Sequence, residues 1–202
     1  MNFLAHLHLA DPEPGLLLGG IAADFARPAE LAALPPEVQD GVRLHRLIDS
    51  FTDSHPVVRG SVARISQEYH WFAGIIIEIS DDHILAREWG KYSLETLESF
   101  AARAYAALVP ILPYAPLEAA EFIRWMIEDD RLMRYSTREG IEDTLARLSR
   151  RIARRMPRNP VQLDRAVPLL DAQDSHLAND FHLFYPELRE FAAKARSEIG
   201  GL

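Results

Sequence analysis

The chain has 202 residues, 48% hydrophobic and 26% charged, which is enough apolar material for a real core. It contains no cysteine, which excludes disulfides, thiolate zinc sites and a cysteine nucleophile. The net charge is −8, yet six of the 22 basic residues lie in RLSRRIARRMPR at 147–158, leaving 16 basic against 30 acidic residues elsewhere. That balance speaks against general nucleic-acid binding and suits one acidic partner docking at one place.

The opening MNFLAHLHLADPEPG lacks the basic start and the long apolar stretch of a signal peptide. No apolar run approaches the ~20 residues of a membrane helix. A soluble cytoplasmic protein, with no membrane association, is expected. Apolar residues recur at three- and four-residue spacing nearly throughout, with no alternating strand pattern. The pattern predicts helices over about 2–10 and 16–25. Further helices run from Pro35-Pro36 to about Asp53 and from Pro56 to about Tyr69. Residues 72–89 form the next, apolar at its start and acidic in its middle. One follows from about Ser93 to Pro110, and another over 117–133. Ser136 and Glu139 have the spacing of a capping box for a helix through Arg155. Asn159-Pro160-Val161-Gln162 opens the last helical region, with Pro168 and Pro186 as breaks or kinks. No linker or repeat divides the chain, so a single all-α domain over 1–202 is expected.

The segment LHRLIDSFTDSHP at 44–56 carries most of the chemistry. His45, Asp49 and Asp53 recur every fourth residue and share one helical face. For this triplet alone, a solvated face with His45 bonded to Asp49 is slightly favoured over a metal site. In the helix over 72–89, Glu78 and Asp82 stand at i and i+4 with His83 beside them. The run Ile75-Ile76-Ile77 and Ile79 marks that helix as buried, and buried carboxylates must be paired, protonated or metal-bound. Asp81 is expected to be the solvated neighbour. Asp24 ends the apolar run from Leu16 to Phe25. His6 and His8 are two residues apart, so at most one enters a common site. Imidazoles and carboxylates of this kind bind Mn²⁺, Fe²⁺ or Zn²⁺, and such ions activate water.

The serines lack a G-x-S-x-G context, and Gly19-Gly20 is not a phosphate loop. Arg147, Arg150, Arg151, Arg154, Arg155 and Arg158 fall at i, i+3, i+4, i+7, i+8 and i+11, on one helical face. Like charges at that spacing repel by a few tenths of a kcal/mol per pair, about 0.2–0.5. Either acids on a neighbouring helix or an anionic partner must compensate.

Four segments carry a family resemblance: MNFLAHLHLA at 1–10, GGIAADFAR at 19–27, LHRLIDSFTDSHP at 44–56 and FAGIIIEISDDHILAREW at 72–89. They resemble acyl carrier protein phosphodiesterase, and weaker likeness continues through Arg134-Tyr135, Ser149-Arg150-Arg151 and FHLFYP at 181–186. The chain departs from the family pattern at Gly20, Pro28, Trp71 and Glu78. The resemblance implies an all-helical, HD-domain-like metal phosphohydrolase. It implies Mn²⁺ as cofactor and hydrolysis of the phosphodiester joining 4′-phosphopantetheine to a serine of holo acyl carrier protein. It makes IAAD at 21–24 an HD motif that has kept only Asp24, His6 an early metal-site histidine and Asp82 the late aspartate. Asp24, His45, Asp82 and His83 are then the expected metal-site residues, with Asp24, His45 and Asp82 catalytic. His6, Asp49 and Glu78 become direct ligands or groups that orient them, and the arginine face docks the carrier protein. Two other readings fit the residues: a metal phosphohydrolase of nucleotides or small phosphoesters, and a non-catalytic helical binding protein.

Overall fold

In this computed structural model the described residues are 1–155, without the side chain of Arg155, and 161–200. Among them are eleven α-helices, short 3₁₀ turns and no strand. Helices α1 (Phe3–Ala10) and α2 (Pro14–Phe25) follow the predicted boundaries closely. α3 (Pro28–Ala32) was not anticipated, being too short to show a period. The Glu30 carboxylate accepts from the Arg27 backbone N–H at 2.8 Å and from its guanidinium, which fixes this one-turn helix. α4 (Pro36–Ser54) and α5 (Pro56–Tyr69) each begin on a proline, where a missing N–H costs nothing.

α6 (Ala73–Arg87) is buried on nearly every side. Asp81, expected in solvent, is buried with it. α7 (Leu97–Leu108) starts later than Ser93, because Thr96 caps it by accepting from the Ser99 N–H at 3.1 Å. The helix predicted over 117–133 is two pieces, α8 (Leu117–Glu128) and α9 (Arg131–Arg134), broken where Asp130 takes a left-handed conformation with φ 46°. α10 (Arg138–Arg155) is capped by Thr137, whose hydroxyl accepts from the Gly140 N–H at 3.1 Å. The expected cap, Ser136, instead donates to the Met133 carbonyl. Gly140 stands where the reciprocal arm of a capping box would be, so only half of that device forms.

The expected start signal at Asn159-Pro160 lies outside the described residues. α11 (Val167–Gly200) runs 34 residues and passes Pro186 without ending. An interior proline costs about 3 kcal/mol or more. Phe181, Phe184, Tyr185 and Leu188 are fully buried around Pro186, and their packing outweighs that loss.

Two contacts position the site. α2 packs most extensively on α4, and Gly19 and Gly41 let the two backbones touch. A Cβ on Gly19 would fall 2.2 Å from the Val38 carbonyl oxygen, and one on Gly41 would fall 2.6 Å from that of Leu16. This crossing brings the end of α2, with Asp24, beside the middle of α4. The second contact is the start of α1. Four N–H groups at a helix start lack intrahelical partners. Here Phe3 N–H donates to the Asn2 side chain, and Leu4 and Ala5 N–H donate to the two carboxylate oxygens of Asp82 at 2.7 and 3.0 Å. His6 N–H donates to the Asn2 carbonyl. α1 is thereby pinned to α6, and its His6 faces α4. No described helix is long and apolar enough to cross a membrane.

Candidate metal centre

α4 buries Val38, Val42, His45, Ile48 and Thr52 along one stripe, so His45 lies within the core-facing surface rather than beside it. One turn on, Asp49 sits at the edge of that stripe. Its carboxylate is shared: Oδ1 lies 3.0 Å from His6 Nε2, and Oδ2 lies 3.0 Å from His45 Nε2. Asp24 Oδ1 is 3.5 Å from His45 Nε2 on the solvent side. The two imidazole rings stack at 4.1 Å. Of the two early histidines, His6 enters this group. His8 turns away, with Nδ1 2.7 Å from the Tyr185 hydroxyl and its ring beside Trp89.

The charges divide unevenly. Burial pulls the His6 pKa down to about 4, and its bond to Asp49 offsets only part of that. Burial pulls on His45 too, but hydrogen bonds and charge from Asp24 and Asp49 outweigh it and push His45 up to about 9. Burial would raise Asp49, but its two histidine partners hold it well below the usual carboxylate range. Two stacked imidazoles resist both being charged, so one is neutral and the other is a cation between two carboxylates.

This geometry stabilises one positive charge at one place. Ligand atoms around a single ion, each bonded at about 2.1 Å, lie roughly 3–4 Å apart. The nitrogen and carboxylate atoms of His6, His45 and Asp49 all lie within 4.8 Å of one another. Two nitrogens with carboxylate oxygens suit Mn²⁺, Fe²⁺ or Zn²⁺, so the residues fit a divalent metal. Among the described residues, neither Nδ1 of His6 nor that of His45 has a hydrogen-bond partner. The shared Asp49 carboxylate and the ring stacking together orient these imidazoles.

The other candidates lie close by with different partners. Glu78 borders the group, its Oε1 3.5 Å from the buried α-amino group of Met1, which is also 3.5 Å from Asp49 Oδ1. Burial raises the Glu78 pKa. Asp82 has no exposure, and both its oxygens are engaged by the first turn of α1. Burial pushes it up to about 7 despite those two bonds. His83 Nδ1 lies 2.6 Å from the Tyr135 carbonyl oxygen, away from the cluster. Asp53 is exposed.

A cleft of about 980 Å³ opens on this group. Asp24, His45, Asp49 and Glu78 line it, together with Arg147, Arg150, Arg151 and Arg154 of α10. Arg147 is neutralised by Asp143, at 2.8 Å. Among the described residues, Arg150, Arg151 and Arg154 have no acidic partner within 4 Å, although Arg151 lies 4.9 Å above the Phe25 ring. Arg158 and the Arg155 side chain lie outside the described residues. Phe3, Phe25, Phe122 and Trp125 line the same cleft. The sequence did not single these out, although Phe122 and Trp125 are spaced for one helical face.

The family model for acyl carrier protein phosphodiesterase matches residues 1–188. The chain belongs to the acyl carrier protein phosphodiesterase family. Curated relatives named acyl carrier protein phosphodiesterase, from Salmonella dublin, Salmonella agona and Salmonella newport, are each 34% identical over 195 residues, covering 96% of this chain and 98% of theirs. No solved structure matches the chain significantly. The stretch shared with the acyl carrier protein phosphodiesterase family takes in the candidate metal group, the aromatic strip and all of α10. Of the departures from its pattern, Trp71 is almost fully exposed on a 3₁₀ turn. Gly20 has open space where a Cβ would stand.

Proposed function

We propose that this protein is a metal-dependent phosphodiesterase acting on acyl carrier protein, releasing 4′-phosphopantetheine from its serine. One observation carries the reading: a His–His–Asp group that fits a metal shares one cleft with arginines that have no acidic partner among the described residues. A phosphodiester is a fixed anion whose transition state gathers charge on its oxygens.

His6, His45 and Asp49 would hold the metal, for which Mn²⁺ is the family's implied ion. When bound, it supplies a Lewis acid and lowers the pKa of water beside the phosphorus. Asp49 aligns the two histidines by taking one on each oxygen. Asp24, the exposed carboxylate of the group, orients the attacking water at the mouth and accepts its proton as the P–O bond to the serine breaks, and that proton passes to the departing serine oxygen. Glu78 deepens the negative field that favours a cation. Asp82 engages the Leu4 and Ala5 N–H groups at the start of α1 and takes no part in the chemistry. Arg150, Arg151 and Arg154 receive the phosphodiester and the acidic surface of the carrier protein, so binding weakens as salt rises.

The test is mass spectrometry of holo carrier protein incubated with this protein and Mn²⁺, beside Asp24→Ala. Mn²⁺-dependent loss of the phosphopantetheine mass, abolished in the variant, supports the reading. Unchanged carrier protein under the same conditions, with hydrolysis of nucleotides or other small phosphoesters instead, overturns the substrate.

A further inference from the structure

The aromatic strip has no part in holding a metal or meeting the carrier protein, yet three helices build it. Phe3 comes from α1, Phe25 from the end of α2, and Phe122 and Trp125 from α8. Their rings form one surface, with centroids 4.6 Å apart for Phe3–Phe122, 4.4 Å for Phe25–Phe122 and 5.5 Å for Phe122–Trp125. Each ring is only half-buried, with its free side in the cleft. Scattered exposed aromatics need no explanation, but four in contact mark a binding surface.

Charge defines what fits there. Arg131 and Arg147 lie 4.9 and 5.1 Å from the Trp125 ring, and Arg151 covers Phe25. Arg131 is held in place by Asp129 and Asp143. Glu118 and Glu121, on the same helix as Phe122 and Trp125, also line the cleft. Arginines over Phe25 and Trp125 and glutamates on the same helix leave the strip with charges of both signs, which suits an anion beside the metal group and a neutral chain across the rings. Ligands with several phosphates would meet those two glutamates.

We propose that Phe3, Phe25, Phe122 and Trp125 form the seat of the 4′-phosphopantetheine arm. The phosphate lies beside the metal group, and the neutral methyl-bearing and amide chain runs along the rings. This rests on the proposed function, and it makes the arm itself a determinant of specificity, so that holo carrier protein is held by two surfaces and apo carrier protein by one.

The experiment is calorimetric titration of the Mn²⁺-loaded protein with free 4′-phosphopantetheine, with inorganic phosphate and with AMP, alongside hydrolysis of holo carrier protein. Wild type, Phe122→Leu and Trp125→Ala are compared, Phe122→Leu being the variant that keeps apolar volume. The expected result is that wild type binds 4′-phosphopantetheine more tightly than phosphate. In both variants that advantage falls at least about tenfold, while phosphate affinity is unchanged. An advantage that persists in folded variants overturns the seat, and so does a larger gain for AMP, which would make the strip a nucleobase platform. Arm binding without carrier hydrolysis would sink the proposed function and leave the seat standing. Hydrolysis without any arm advantage would do the reverse.

Discussion

Two histidine–aspartate groups lie close together in this protein, and their partners give them opposite tasks. In the first, His6, His45, Asp49 and Asp24 turn their polar atoms toward one another, and all but His6 line a cleft. In the second, on α6, Asp82 and His83 direct theirs at backbone: the N–H groups of Leu4 and Ala5 and the carbonyl of Tyr135. The residue types are the same. A group whose partners are side chains facing solvent can exchange them for an ion or a substrate. A group whose partners are buried backbone cannot do so without undoing a helix end. The first arrangement is suited to chemistry and the second to architecture.

Substitution should separate the two most sharply in activity. His45→Ala should lower kcat/KM on holo carrier protein by at least ~100-fold with little change in the melting temperature of the metal-free protein. Asp82→Asn should do the opposite. It keeps the shape but sets an amide N–H against a backbone N–H, costing about 1–3 kcal/mol in a denaturant melt. A stable Asp82→Asn protein that lost all activity would erase the distinction.

Metal addition should sharpen the same contrast. A ligand present at 100 times its Kd stabilises by about 2.7 kcal/mol. Mn²⁺ should therefore raise the melting temperature of wild type and of Asp82→Asn, but not that of Asp49→Ala. A smaller effect belongs to the arginine wall. Arg150→Glu with Arg154→Glu should raise KM about tenfold and flatten its salt dependence, leaving kcat nearly unchanged.

The smallest expected effect lies far from the cleft. Burial would raise the Glu88 pKa, but bonds from Lys91, His182 and Arg87 outweigh it and hold Glu88 at about 2, against an ordinary 4.5. A depressed carboxylate contributes stability above its unfolded pKa and loses it as pH falls through the folded one. The stability gap between wild type and Glu88→Gln should therefore be constant above about pH 5 and close toward pH 2.

The helical fold was legible because periodicity and proline punctuation are local signals. α1, α2, α4 and α5 begin and end near where those signals put them. The failures were also local: α3 is too short to show a period, Asp130 breaks a continuous apolar pattern by backbone conformation alone, and Pro186 is overridden by long-range packing. In the site, the fourfold spacing of His45 and Asp49 on α4 pointed to a shared face. Spacing could not decide between His6 and His8, because the pinning of α1 by a carboxylate 78 residues away sets which one points inward. Nor could it say that Asp82 would be engaged by that task. The aromatic strip was illegible because its four members come from three helices that meet only in the folded chain.

The most direct test of the account is Mn²⁺ titration followed by electron paramagnetic resonance, on wild type, His45→Ala, Asp49→Ala and Asp82→Asn. The account predicts that wild type and Asp82→Asn bind the ion and that both alanine variants lose it. Ion binding that survives in His45→Ala and Asp49→Ala, or is lost in a folded Asp82→Asn, would contradict it.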